Sequence, residues 1–184
     1  MASGSLTDLY LDELARLYDA EMQALRLLPR LRDAARGLKL RDALTRHCDE
    51  TRLHIERLQL IFTHWGGNIA PGRSAGLAGI VQEADERVNE PATDDTRDAL
   101  IIGLAQRVEH YEIAAYGSAR SYARRLNRPD EARLLLETLE EEGRSDRRLT
   151  EIAETQTDLE LAGAMVETRP GFHMVTPPHG DKLR

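Results

Sequence analysis

Acidic and histidine side chains interrupt four otherwise apolar helical stripes at matched places in the two halves of this chain. The first half carries Glu21, then Glu50 and His54; the second carries Glu112, then Glu142 and Asp146. Glu21 and Glu50 are 29 positions apart, Glu112 and Glu142 are 30 apart, and in each half another ligand-type side chain follows four residues on. At about 100° per residue, positions four apart lie about 40° apart on a helix, so Glu50 and His54 share a face, as do Glu142 and Asp146. A four-helix bundle holding two metal ions between its helices places such groups inward from all four rods.

Periodicity sets the four predicted helices. The first starts near Leu6, with Ser5 and Asp8 as a capping box. Its stripe runs through Tyr10, Leu14, Leu17, Glu21, Ala24, Leu28 and Leu31; Pro29 is expected to kink it and Gly37 to end it. The second covers about 39–65 and stops at Gly66-Gly67. The 27 residues from Gly66 to Ala92 form a long crossover, with a short helix around Leu77–Val88. The third helix follows Thr93, with Asp94 and Asp95 in its first turn, where the macrodipole favours acids. The fourth opens at Pro129 and carries Leu135, Leu139, Glu142, Asp146 and Leu149 inward. The bundle is thus expected over residues 1–155, and 156–184, with three prolines after 169, as an extended or mobile arm.

Abundant Ala, Leu, Glu and Arg with few β-branched and aromatic residues favour an all-α domain. A formal charge of −7 and the lack of a basic stripe exclude non-specific nucleic-acid binding. No long apolar run offers a membrane span. Cys48 is the single cysteine, so no intrachain disulfide forms, which fits a reducing cytoplasm; it is expected to fill a small core site.

Five carboxylates and an imidazole meeting in a core would be severely destabilising, since each buried ion costs several kcal/mol. Two divalent cations bring the charge from −5 to −1. Oxygen-rich ligation with one imidazole suits iron or manganese. Glu50 and Glu142 are then expected to bridge two iron (or manganese) ions, with Glu21, His54, Glu112 and Asp146 terminal. Glu109, one turn before Glu112, is a seventh ligand, a hydrogen-bond partner of a ligand, or a half-exposed acid. His47, one turn before Glu50, either supports a ligand or packs in the core. Tyr116, one turn past Glu112, is expected to pack in the core rather than bond a ligand or donate an electron. In the run Glu140-Glu141-Glu142 only the last is expected to point inward.

The stretches Asp12–Glu21, Glu50-Thr51 followed by Arg57-Leu58, Val108–Gly117 and Leu149–Ala153 resemble the YciE/YciF family of ferritin-like proteins over roughly residues 6–155. The resemblance implies a ferritin-like four-helix bundle, a dinuclear metal site, a link to bacterial stress responses and a homodimer rather than a cage. The chain departs from common ferritin-like sites, which use Glu-x-x-His on the second and fourth helices; the position of His54 is often glutamine in the family it resembles. Two function classes follow: a di-iron oxidoreductase acting on O2 or peroxide, and a metal-free helical dimer serving as an interaction module.

Overall fold

The structure, a computed structural model, describes residues 4–67, 72–90 and 93–167, with residues 156–167 as backbone. Five helices follow in order: α1 Leu6–Ala34, α2 Leu38–Thr63, α3 Ala75–Arg87, α4 Asp94–Arg125 and α5 Pro129–Glu167. There is no strand among the described residues, and no helix there is long and apolar enough to cross a membrane. The chain divides into a unit of residues 1–153 and a unit of 154–184. The bundle and everything below belong to the first.

The expected starts hold because their caps form. Ser5 accepts from the Asp8 amide while the Asp8 carboxylate accepts from the Ser5 amide, both at 3.1 Å. Thr93 accepts from the Thr96 amide at 3.2 Å. Gly66 (φ 98°) and Gly67 (φ 88°) turn the chain out of α2 in a conformation side-chain-bearing residues avoid. Three boundaries differ from expectation. Gly37 does not end α1: the helix stops at Ala34 and Gly37 caps the start of α2. The cause is Asp98 on α4, a buried acid whose carboxylate accepts from the amides of Arg36 (2.8 Å) and Gly37 (2.6 Å). The short crossover helix begins at Ala75, two residues earlier than expected. Residues 156–167, expected to be extended, continue α5; the remainder of that arm lies outside the described residues.

The two long hairpins share a register. Ala34 ends α1 and Arg125 ends α4; Leu38 opens α2 and Pro129 opens α5. Both steps are 91 residues (125 minus 34, 129 minus 38), so the turns align the second hairpin on the first with that offset. The α3 segment is the crossover between them, tied down where the Ser74 hydroxyl donates to Tyr111 on α4 at 2.7 Å and the Ser74 amide to Asp19 on α1 at 2.7 Å.

The apolar core comes in two pieces. One contains Leu27, Leu28, Leu31, Leu40, Leu44, Ile101, Leu104 and Leu149; the other contains Tyr10, Leu14, Leu17, Leu58, Ile61, Tyr116, Ala119 and Leu135. Each fully buried leucine contributes about 1.5–3 kcal/mol relative to exposure. Along each of the four long helices the break between the pieces falls at polar residues: Glu21 on α1, His47 to His54 on α2, Glu109 and Glu112 on α4, and Glu142 and Ser145 on α5, all buried apart from residues at the rim of these faces.

Candidate metal centre

Two groups of ligand-type atoms occupy this polar layer. His47, Glu109, Glu112 and Glu142 form one, and Glu21, His54 and Glu142 the other; within each, one ligand atom per residue lies within 4.8 Å of all the rest. Glu142 belongs to both, as a residue between two ions would. All six side chains are buried, none more than 1 % exposed as a residue.

Of the residues expected from sequence to bind metal, the structure brings together Glu21, His54, Glu112 and Glu142. Glu50 and Asp146 are not in either group. Buried positions on α2 centre between His47 and Thr51, and Glu50, about 60° to the far side of His47, is only half-buried at the rim. Asp146 sits at the opposite rim of its helix with its side chain 22 % exposed; it pairs with His110 Nε2 at 3.1 Å and accepts from Gln106 Nε2 at 3.2 Å. The shared register accounts for the difference. Matching Glu50 to Glu142 and His54 to Asp146 uses a step of 92, one residue more than the turns impose. With 91, Glu21 matches Glu112, Thr51 matches Glu142 and His54 matches Ser145. One residue is about 100° of helix, enough to move a side chain from core to rim.

His47, expected to support a ligand or pack in the core, and Glu109, for which a seventh ligand is one of three readings, both stand inside the cluster. His47 lies seven residues before His54, about 20° from it on α2. Its Nδ1 is 2.9 Å from Glu109 Oε1 and its Nε2 3.4 Å from Glu142 Oε2. The Ser145 hydroxyl donates to Glu109 Oε1 at 2.7 Å. Tyr116 does more than pack: its hydroxyl donates to Glu21 Oε1 at 2.6 Å. Its ring meets His54 edge-on with centroids 6.3 Å apart. Glu141, expected in solvent, holds His54 from outside. His54 Nε2 lies 3.1 Å from Glu141 Oε2, and Arg57 grips both oxygens of that carboxylate.

Electrostatics confirm how costly the cluster is without cations. Burial, with the negative charges of Glu21 and Glu142 next, pushes Glu112 well above the ordinary carboxylate range. Burial also raises Glu21, against the opposing pull of His54, and raises Glu109 to about 8, against the pull of His47. Burial disfavours charge on His47 and His54 too, but the carboxylates around each outweigh it and hold both well above the ordinary imidazole value. Glu142 goes the other way: burial opposes its charge, yet the close approach of Glu109, His47 and His54 holds it well below the usual range.

The residues fit a pair of metal ions. Glu21 Oε2, both ring nitrogens of His47, His54 Nδ1, Glu109 Oε2 and both carboxylate oxygens of Glu112 and Glu142 are buried with no hydrogen-bond partner. Ligand-type atoms of these residues come within 2.9–3.4 Å of one another without hydrogen-bonding angles. Each orphaned buried group costs about 1–3 kcal/mol, which coordination removes. Four carboxylates (Glu21, Glu109, Glu112, Glu142) balance two dications with both imidazoles neutral. The donors are oxygen and nitrogen; Cys48 is buried in the neighbouring apolar cluster and belongs to neither group.

Comparisons with known proteins agree with this architecture. A family model described as a domain of unknown function, DUF892, matches residues 5–162. Protein YciF of Escherichia coli K12 is 37% identical over 150 residues, which is 81% of this chain and 90% of that protein. The crystal structure of the E. coli stress protein YciF superposes with a TM-score of 0.81 at 35% identity, covering 84% of this chain and 98% of that one. A Rhodopseudomonas palustris protein, YcfI, described as structural, superposes with a TM-score of 0.78 at 36% identity over 81% of this chain and 95% of its own. A two-domain Anabaena variabilis protein with DJ-1-like and ferritin-like domains matches at 14% identity and a TM-score of 0.56, covering 98% of this chain and 43% of that one. At that identity the likeness speaks to the fold, a ferritin-like helical bundle.

Proposed function

This chain belongs to the DUF892 family, and we propose that it is a dinuclear metal carboxylate protein that consumes O2 or peroxide in stressed cells. Two divalent cations, iron first and manganese by the same ligand preference, bind in the polar layer: one to His47, Glu109 and Glu112, the other to Glu21 and His54, with Glu142 between them. The observation that carries this reading is the gathering of buried oxygen and nitrogen ligand atoms, most of them unpartnered, into two groups that share Glu142.

Bound iron would supply electrons to the oxidant. The chain's own residues bind, orient and insulate. The Tyr116 hydroxyl fixes the rotamer of Glu21, and Glu141 with Arg57 fixes the ring of His54. The apolar clusters on either side keep bulk water from the layer. The stress role rests on the relative described as a stress protein. The expected homodimer has a face to use: Leu53 and Leu60, one heptad apart on α2, are 48% and 49% exposed.

Anaerobic loading with Fe(II) followed by metal analysis tests the reading. Two ions per chain are expected, with consumption of O2 or H2O2 on mixing. Metal at background level would remove the centre and leave a metal-free helical module; full loading without oxidant consumption would remove the activity and keep the centre. Light scattering on the same sample checks for the dimer.

A further inference from the structure

We infer that Thr51 marks a binding place for a small monoanion between the two metal subsites, its hydroxyl donating to that ligand. The inference rests on the dinuclear reading above and adds to it a ligand site with a named recognition group.

The shared register places Thr51 opposite Glu142, since 51 plus 91 is 142. Glu142 is the carboxylate common to both ligand groups. On α2, Thr51 lies between His47 of one group and His54 of the other, four residues after the first and three before the second, on the same buried face. One hairpin thus offers a shared carboxylate between the subsites, and at the equivalent place the other offers a hydroxyl. A neutral hydroxyl is a poor ligand for iron or manganese, but it donates one hydrogen bond and accepts others.

That hydroxyl has nothing to bond. Thr51 is 0% exposed and its Oγ1 has no partner. Helix hydroxyls in such a position ordinarily bond back to the carbonyl one turn earlier. Several in this chain do: Thr45 to Arg41 at 2.8 Å, Ser118 to Ala114 at 3.0 Å and Thr150 to Asp146 at 3.1 Å. Thr51 does not. Ser145, which the register places opposite His54, is already committed to Glu109. Thr51 is therefore a hydroxyl of the polar layer left free to recognise something bound there.

Charge selects the class of ligand. The four buried carboxylates neutralise two dications and no more. Any higher charge on the metals leaves positive charge that only an added anion offsets in a buried site. A place between two cations with one hydroxyl donor beside it fits a small monoanion.

Azide titrated into the iron-loaded protein after oxidation to Fe(III) with ferricyanide is the probe, followed through the visible spectrum of the metal. Thr51→Ser should bind azide within about 2-fold of wild type, and Thr51→Val about 10-fold more weakly, the size of one hydrogen bond to a charged group. The metal-free Thr51→Val protein should melt no lower than wild type, because a methyl replaces an unsatisfied hydroxyl. Equal azide affinity in wild type and Thr51→Val, or no azide response at all, overturns the inference while iron binding leaves the centre standing. A lower melting point for metal-free Thr51→Val would assign the hydroxyl a structural bond and overturn it too. Absence of iron binding in wild type overturns the dinuclear reading itself. If Thr51→Val does not fold, Thr51→Ala takes its place in the same comparison.

Discussion

The Nε2 atom of His54 lies 3.1 Å from Oε2 of Glu141, on the side of the ring facing away from Glu21 and Glu142. Its Nδ1 is 2.9 Å from Glu142 Oε1 and 3.3 Å from Glu21 Oε1. Glu141 Oε2 therefore fixes which nitrogen carries the proton when Nδ1 binds metal. Arg57 keeps that carboxylate ionised: bonding from His54 and then from Arg57 lowers Glu141 to about 2 despite partial burial.

Replacing Glu141 by Ala should cut metal affinity about 10-fold, the lower end of the usual effect of removing a group that orients a ligand histidine. Competition against a chromophoric chelator measures it. An affinity equal to wild type would mean the ring holds its orientation without Glu141.

Glu142 and the pair Glu50 and Asp146 separate two geometries of the centre. Glu142→Ala should lose both ions, since it stands in both ligand groups. A Glu50→Ala, Asp146→Ala double variant should keep wild-type metal content, because both side chains lie at the rim. Elemental analysis of the purified proteins decides, and loss of metal from the double variant would restore the register of 92.

Metal should stabilise the fold more as pH rises. In the metal-free protein Glu109 titrates at about 8, and Glu21, Glu112, His47 and His54 are all raised in the folded state. A raised group contributes stability that is present below its unfolded value and is lost as pH climbs through its folded value. Glu142 is lowered, so its contribution is lost only on acidification below the ordinary carboxylate range. Between about pH 5 and about pH 8 every raised group acts in one direction, and the metal-free protein weakens with rising pH. Metal needs the same groups deprotonated and binds more tightly there. Calorimetry with chelator and with metal should show a gain in Tm that is larger at about pH 8 than at about pH 6. A gain that shrinks over that interval would contradict the assignment.

Stability has a second polar anchor away from the metal centre. The Tyr10 hydroxyl and the Trp65 indole N–H both donate to Glu131 Oε2, at 2.9 and 3.2 Å, tying α1 and the end of α2 to α5. Arg128 stacks on Trp65 at 4.3 Å and reaches Glu131 Oε1 at 3.7 Å. Glu131→Ala should cost about 2–4 kcal/mol by leaving two donors unpaired in a buried corner. Urea unfolding measures the loss, and metal content should stay unchanged. A joint loss of metal would show that the corner and the polar layer are coupled.

Local physics made the helices and their starts legible in the chain itself. Ser5 and Thr93 are caps whose partners lie three residues away, Pro129 opens a helix by its own backbone, and paired glycines at 66 and 67 stop one. Apolar periodicity marked Leu14, Leu17, Leu28 and Leu58 as core, and Glu21, His54, Glu112 and Glu142 as polar groups among them. These features depend on a few neighbouring residues, so the order of side chains determined them.

Rotation of each helix about its axis is a different matter. It follows from where the turns end, and the first turn is set by Asp98, some sixty residues away in sequence, closing on Arg36 and Gly37. With the step of 91 between hairpins, His47, Thr51 and Glu109 are buried in the polar layer while Glu50 and Asp146 lie at its rim. Spacing alone pairs positions 40° apart as readily as positions 60° apart. Only packing of four helices against one another decides which of those positions faces the centre, because a side chain at the rim and one in the core differ by a single residue of register.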